Sequence, residues 1–415
     1  MIEQDNAVRG RMGSRTGLVL SGGGARGAYE IGVLAGFIEI LDKHAGEHPP
    51  FEVFAGTSIG ALNSALLASR ADRGDLDIDA LVRFWQHFQL EDYLKIEPRS
   101  WFGALSRGEN PPEASIFDPT PLRNFTQNLI PWDRLQQNMT RGALRALIFT
   151  SWELATGRSV WFTQMAAGHD FPNWPDHRRE VVLTQLDHRH AMASAAIPWV
   201  VPPQFIDGRY YCDGGVRFST PLASAIRAGA DRLVVIKLRG NQQEIPPTPD
   251  PYPWPWTMLW QIFGGLAVDA SDYELSRIER INTLLDGFDT HLTLEQREAI
   301  DSILTQTRGK PWQKLPVLHF SPEVDFGQMA LDRAAEIKTD ERALRVMMRW
   351  MKRWDMGDLL SFVLFDHVFI RELIKHGRQD AHAREDEILA FFKAQENDHI
   401  TQPVAPPPEV PRTSS

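Results

Sequence analysis

Three short segments, in fixed order, constrain this chain more than anything else in it: GGGARG at Gly22 to Gly27, GTSIG at Gly56 to Gly60, and DGG at Asp213 to Gly215. The first offers backbone N–H donors for an oxyanion, the second a serine nucleophile, and the third a carboxylate to take the serine proton. Each segment alone is a weak signal, because Gly and Ser are common residues. Their weight comes from context, since each sits where a strand hands over to a loop or helix and the three roles complete one another.

Thr16 to Ser21 is a short apolar run that stops at glycines, as a buried strand does. From Gly27 to Lys43, Ile31, Leu34, Ala35, Ile38 and Leu41 recur at helical spacing. Glycines at a helix start form an anion site, because unpaired N–H groups and the positive end of the dipole coincide. The loop is not a P-loop, since Ala28 and Tyr29 follow Gly27 where a Lys and a Ser or Thr are needed. Gly22, Gly24 and Gly27 do have the dinucleotide-binding spacing, which leaves a nucleotide-binding reading open.

Phe51 to Ala55 reads as a second strand, with Ala61, Leu62, Ala65 and Leu66 as the inner face of the following helix. Ser58 then stands on a sharp strand-to-helix turn. Gly56 and Gly60 clear the space in which the chain doubles back, and the Ile59 N–H lies at the helix start. The competing reading of Ser58 is a helix N-cap. Of the two Asp-Gly pairs, Asp207-Gly208 lies between β-prone runs and reads as a hairpin turn. Asp213 follows the second run and is the candidate carboxylate, against an Asx turn or a cap of the Pro221 helix.

With ASAAIP at Ala193 to Pro198 as a fourth block, the chain resembles the patatin-like phospholipases over about residues 15 to 240. The resemblance implies a catalytic dyad of Ser58 and Asp213 without histidine. It also implies an oxyanion hole around Gly22, Gly23 and Gly24, with Arg26 near it and the Ile59 N–H at the elbow. It further implies a three-layer α/β/α sandwich, a lipid ester substrate and no cofactor. Leu144 to Thr150 and Arg232 to Leu238 fit as further strands. A Ser-His-Asp triad remains the chemical rival, with His291, His319 and His367 as candidates. An acyltransferase on the same acyl-enzyme and a non-catalytic lipid-sensing protein are the functional alternatives.

The formal net charge of −10 argues against a nucleic-acid partner. The single cysteine, Cys212, excludes an internal disulfide framework. The first sixteen residues lack a signal-peptide core, and no stretch reaches spanning length, so a cytoplasmic location with peripheral membrane contact is expected. The expected organisation is a disordered segment at 1–14, a catalytic domain at 15–240, a helical C-terminal extension at 241–400 and a Pro-rich disordered tail at 401–415. Within the first domain, a turn-rich stretch from Glu91 to Arg141 is a candidate cap. Helical patterns follow at about 256–286, 293–307, 328–354, 358–376 and 383–396, with a strand candidate at Leu315 to Phe320. Two segments suit a lipid surface. One is the aromatic run Tyr252 to Trp256, continuing to Trp260 and Phe263. The other is a basic amphipathic stretch from Arg342 to Arg353, with Met347, Trp350, Met351 and Trp354 on one stripe.

Overall fold

The computed structural model describes residues 15–44, 51–88, 95–96, 117–118, 120–172, 177–198, 201–216, 220–240, 255–308, 311–337 and 356–401. The expectations for 1–14, for residues 91–94, 97–116 and 119 of the turn-rich stretch, for 241–254, for Arg342 to Arg353 and for 402–415 lie outside them. So do the side chains of Trp256, Trp260 and Phe263. The described part of the turn-rich stretch is largely helical, over Thr120–Leu129 and Trp132–Thr140.

The strands are β1 (Thr16–Leu20), β2 (Phe51–Thr57), β3 (Lys95–Ile96), β4 (Phe117–Asp118), β5 (Ala146–Glu153), β6 (Ser159–Met165), β7 (Arg179–Leu183), β8 (Gln204–Ile206), β9 (Arg209–Asp213), β10 (Arg232–Ile236) and β11 (Val317–Phe320). The helices are α1 (Gly27–His44), α2 (Ile59–Ala68), α3 (Ile78–His87), α4 (Thr120–Leu129), α5 (Trp132–Thr140), α6 (His188–Ser194), α7 (Leu222–Arg227), α8 (Pro255–His291), α9 (Leu294–Arg308), α10 (Phe326–Glu336), α11 (Gly357–Val363), α12 (His367–Ala383) and α13 (Glu385–Thr401).

The main sheet runs β11-β10-β1-β2-β5-β6-β7, with β9 on β5 and β8 on β9. From β11 to β5 every neighbouring pair is parallel. Side chains alternate across it, as the pleat requires. Leu18, Leu20, Phe54, Leu147, Phe149, Val234 and Ile236 join one core with α1 and α2. Val19, Val53, Ala55, Ile148, Leu233 and Val235 join a second core with α7 and α8. Helices thus cover both faces, giving the expected α/β layering and the near-continuous apolar strands of a buried parallel sheet.

The stretch read as a helical extension is helical in its described parts and also supplies a strand of the same sheet. β11 pairs in register with β10 from Leu233↔Val317 to Ile236↔Phe320. The pattern at 358–376 is two helices, because Asp366 caps α12 by accepting from the Val368 and Phe369 N–H groups. α12 lies directly on α1. A Cβ on Gly32 would stand 2.2 Å from the Ile374 carbonyl oxygen, and one on Gly377 would stand 2.4 Å from the Tyr29 carbonyl oxygen. Buried Tyr29 donates to Asp380 at 2.6 Å across the same contact. Backbone meets backbone here, so a larger side chain has no flexible neighbour to displace. Gly377→Leu is therefore expected to destabilise the fold by about 3 kcal/mol or more. The urea unfolding midpoint checks this, and an unchanged midpoint would mean the helices move apart freely.

Candidate active site

The register of the sheet brings Ser58 and Asp213 together. β2 runs parallel to β5 and ends with Thr57 opposite Thr150. β9 runs antiparallel to β5 and ends with Asp213 opposite Ser151, the next residue along. The two strands share one edge of β5 and approach each other end to end, so the residue leaving β2 meets the last residue of β9.

Ser58 adopts φ 56° and ψ −124°, a strained conformation for a residue with a Cβ. It occupies the N-cap position of α2 but makes no side-chain capping bond. Its hydroxyl instead lies near enough to the Asp213 carboxylate to favour the charged form. Tight contacts enforce the turn: a Cβ on Gly56 would lie 2.2 Å from the Gly60 carbonyl oxygen, and one on Gly60 would lie 2.5 Å from that of Leu20. Ser194 braces it, accepting from the Ser58 N–H at 3.0 Å while donating to the Thr150 carbonyl at 2.7 Å.

Asp213 is 4% exposed and Ser58 6%. Burial pushes the Asp213 carboxyl up to about 6, while the Ser58 hydroxyl and the Gly215 N–H, which donates at 2.7 Å, pull it down. The carboxylate is thus more basic than an ordinary aspartate yet still ionised near neutral pH, as a general base must be. Asp207 and Gly208, with φ 48° and 84°, form the two-residue turn between β8 and β9. That turn aims β9 back at the site.

The glycine loop closes the third side. β1 ends with Leu20 opposite Gly56, and a Cβ on Gly22 would stand 3.1 Å from that of Ser58. Gly22 and Gly23 lead into a short 3-10 turn, Gly24–Arg26, that runs directly into α1. Ile59 is the first residue of α2. Arg26 is buried, with its guanidinium bonded to Ser361, Asp358 and the Leu238 carbonyl.

The candidate histidines sit on other elements. His319 is on β11, separated from β2 by β10 and β1, about 14 Å at ordinary strand spacing. His291 ends α8, and His367 sits beside Asp366 at 3.7 Å.

Three further residues, Ser194, Asn63 and Glu30, support the site, and no sequence motif marks their roles. Ser194 lay within a recognised block, but its brace depends on where α6 docks. Asn63, on α2, donates to the Gly27 carbonyl at 3.1 Å and to Glu30 at 2.8 Å, and accepts from the Trp85 indole at 3.1 Å. Glu30 is fully buried and its carboxyl is held well above the usual range by desolvation. Its place in an otherwise apolar helix face was the available signal.

The model of the family described as patatin-like phospholipase matches residues 18–226, half of the chain. A cGAMP-activated phospholipase of Escherichia coli is 28% identical over 214 residues, covering 49% of this chain and 52% of that protein. An uncharacterized NTE family protein of Mycobacterium bovis is 25% identical over 238 residues, covering 57% of this chain and 52% of its own length. The chain therefore spans about half the length of these curated relatives. Among solved structures, human GIVD cytosolic phospholipase A2 is 12% identical with a TM-score of 0.39, covering 93% of this chain and 60% of that one.

Proposed function

The chain belongs to the patatin-like phospholipase family, and from that premise we propose that it is a lipid acyl hydrolase with Ser58 as nucleophile and Asp213 as general base. The observation that carries the proposal is the placement of two buried residues, Ser58 and Asp213, at strand ends that converge on the same edge of β5. Asp213 takes the Ser58 proton as the hydroxyl attacks an ester carbonyl. The tetrahedral oxyanion accepts from the loop N–H groups at Gly22, Gly23 and Gly24 and from the Ile59 N–H at the start of α2, donors each worth about 3–4 kcal/mol in comparable sites. Asp213 then returns the proton to the leaving alcohol. In the second half, it takes a proton from the water that attacks the acyl-Ser58 ester and passes it to the departing Ser58 oxygen, which frees the fatty acid and restores the hydroxyl.

The β8–β9 hairpin favours a lipid surface as the source of substrate. It stays paired to the chain just past the end of β5, and it presents Phe205, 60% exposed, against Tyr210, 42% exposed, with ring centroids 4.8 Å apart. Exposed Leu154 adjoins them, its N–H donating to the Tyr210 carbonyl at 3.0 Å. Such aromatics suit the boundary between water and headgroups. Among the described residues no helix is long and apolar enough to cross a membrane, so contact through this hairpin would be peripheral.

The test is fatty-acid release from mixed phosphatidylcholine and phosphatidylglycerol vesicles, beside hydrolysis of p-nitrophenyl butyrate. The wild-type chain should hydrolyse both. Phe205→Asp with Tyr210→Asp should lower vesicle hydrolysis about tenfold, the equivalent of 1.4 kcal/mol of lost surface binding, and leave the soluble ester unchanged. No release from any acyl lipid would contradict the hydrolase reading, and transfer of the acyl group to an added alcohol in preference to water would make the chain an acyltransferase.

A further inference from the structure

The glycine loop is held from outside. Three consecutive glycines give it no side chains with which to fix its own geometry, and Gly24 sits at φ 58°, in the left-handed region. What fixes it is α11. A Cβ on Gly24 would stand 2.1 Å from the Phe362 carbonyl oxygen, so the loop backbone lies directly against the backbone of that helix. Arg26, 2% exposed, fastens the contact. Its Nε donates to Ser361 Oγ at 2.8 Å, and one terminal nitrogen donates to the Asp358 carbonyl at 3.0 Å and to the Asp358 carboxylate. The other reaches the Leu238 carbonyl at 3.4 Å, and the guanidinium lies 4.4 Å from the centre of the Phe362 ring.

α11 is itself anchored. A Cβ on Gly357 would stand 2.7 Å from the Gly327 carbonyl oxygen, which seats the helix on α10. Arg333 of α10 grips Asp366, the cap of α12, at 2.6 and 3.1 Å. Arg239, just after β10, donates to the other Asp358 oxygen at 3.3 Å. All of these elements lie beyond residue 226, where the family match ends.

We propose that α11 is a clamp on the glycine loop, with Arg26, Asp358 and Ser361 as positioning residues that keep the loop N–H groups aimed at the developing oxyanion. The proposal rests on the hydrolase reading for its effect on rate, but not for its effect on the loop. The physical basis is that a fully buried guanidinium cannot be left without its anion, so the Arg26–Asp358 pair couples loop position to helix position. Displacing oxyanion donors by about 1 Å costs on the order of a hundredfold in rate while leaving ground-state binding almost untouched.

Asp358→Asn and Ser361→Ala, made in the full chain, test the clamp. Each should lower kcat on p-nitrophenyl butyrate by about 10- to 100-fold, with KM within about twofold and the acid limb of the pH profile still set by Asp213. Arg26→Lys should not restore the rate, because an ammonium lacks the planar fork that serves Asp358 and Ser361 together. Amide hydrogen exchange across residues 22–27 should quicken about tenfold in Asp358→Asn, a readout that needs no catalysis. If Asp358→Asn does not fold, Ser361→Ala removes a single partner and carries the same two readouts. Wild-type kcat with unchanged exchange in a folded variant would overturn the clamp. If the wild-type chain proves inert on esters, the hydrolase reading fails while exchange alone decides the clamp.

Discussion

Asp213→Asn is expected to remove nearly all ester hydrolysis, lowering kcat by roughly 10³- to 10⁴-fold, the range seen when a general base or its equivalent is lost. The substitution keeps the shape and an oxygen for the Gly215 N–H, so the fold should persist. It removes only the ability to hold the Ser58 proton. In the wild-type protein the acid limb of kcat/KM should be governed by the carboxyl near 6, with activity falling as pH drops through that value. The stability consequence has the opposite direction to that of an ion-paired carboxylate. Because the folded-state value is raised, the native protein holds a proton between about pH 4 and 6 that the unfolded chain releases, so stability falls as pH rises through that window. A shift of about two units corresponds to about 3 kcal/mol, a cost fully present above pH 6. Asp213→Asn should escape it and be more stable than wild type at pH 7 to 8, with the difference fading toward pH 4. Urea unfolding at several pH values checks this. A variant that is less stable at pH 8 would mean that the carboxylate is better solvated than its burial indicates.

Ser58→Ala should lose hydrolysis by roughly 10⁶-fold, because it removes the attacking atom itself whereas Asp213→Asn removes only its activation. Stability should change by less than about 1 kcal/mol, since alanine keeps the Cβ and the strained backbone is held by Gly56, Gly60 and Ser194 rather than by the side chain. Loss of the Ser58 hydroxyl removes an interaction that lowers the Asp213 value, so the carboxyl should titrate still higher in this variant. Proton NMR of a protein labelled at aspartate would report that shift. A serine assigned to structure alone, by contrast, would cost stability and spare activity.

The sequence exposed β1, β2, β5, β8, β9, β10 and β11, the elbow and the Asp-Gly hairpin because their signals are local: apolar runs, glycine spacing and a two-residue turn. The same was true of Ser58 and Asp213 as candidates, although they lie far apart in the chain. What brings them together was not legible. It depends on β2 and β9 sharing an edge of β5 in adjacent registers, and no periodicity reports register between distant strands. The brace at Ser194 and the link from Asn63 to Glu30 and Gly27 were hidden for the same reason. Arg26 shows the limit most clearly: its place in the glycine loop suggested the oxyanion site, whereas its side chain is bonded to a helix more than 330 residues away. The apolar pattern around Asp366 was continuous enough to read as one helix, and only its capping bonds to Val368 and Phe369 divide it in two.

Whether Ser58 is a nucleophile activated by Asp213 is read from the rate of its phosphonylation by a fluorophosphonate, followed against pH with the adduct located by peptide mass. The expected result is a single adduct on Ser58, a rate that falls about tenfold per pH unit below about pH 6, and loss of that dependence together with most of the rate in Asp213→Asn. An adduct on another serine, or a wild-type rate in Asp213→Asn, would contradict it.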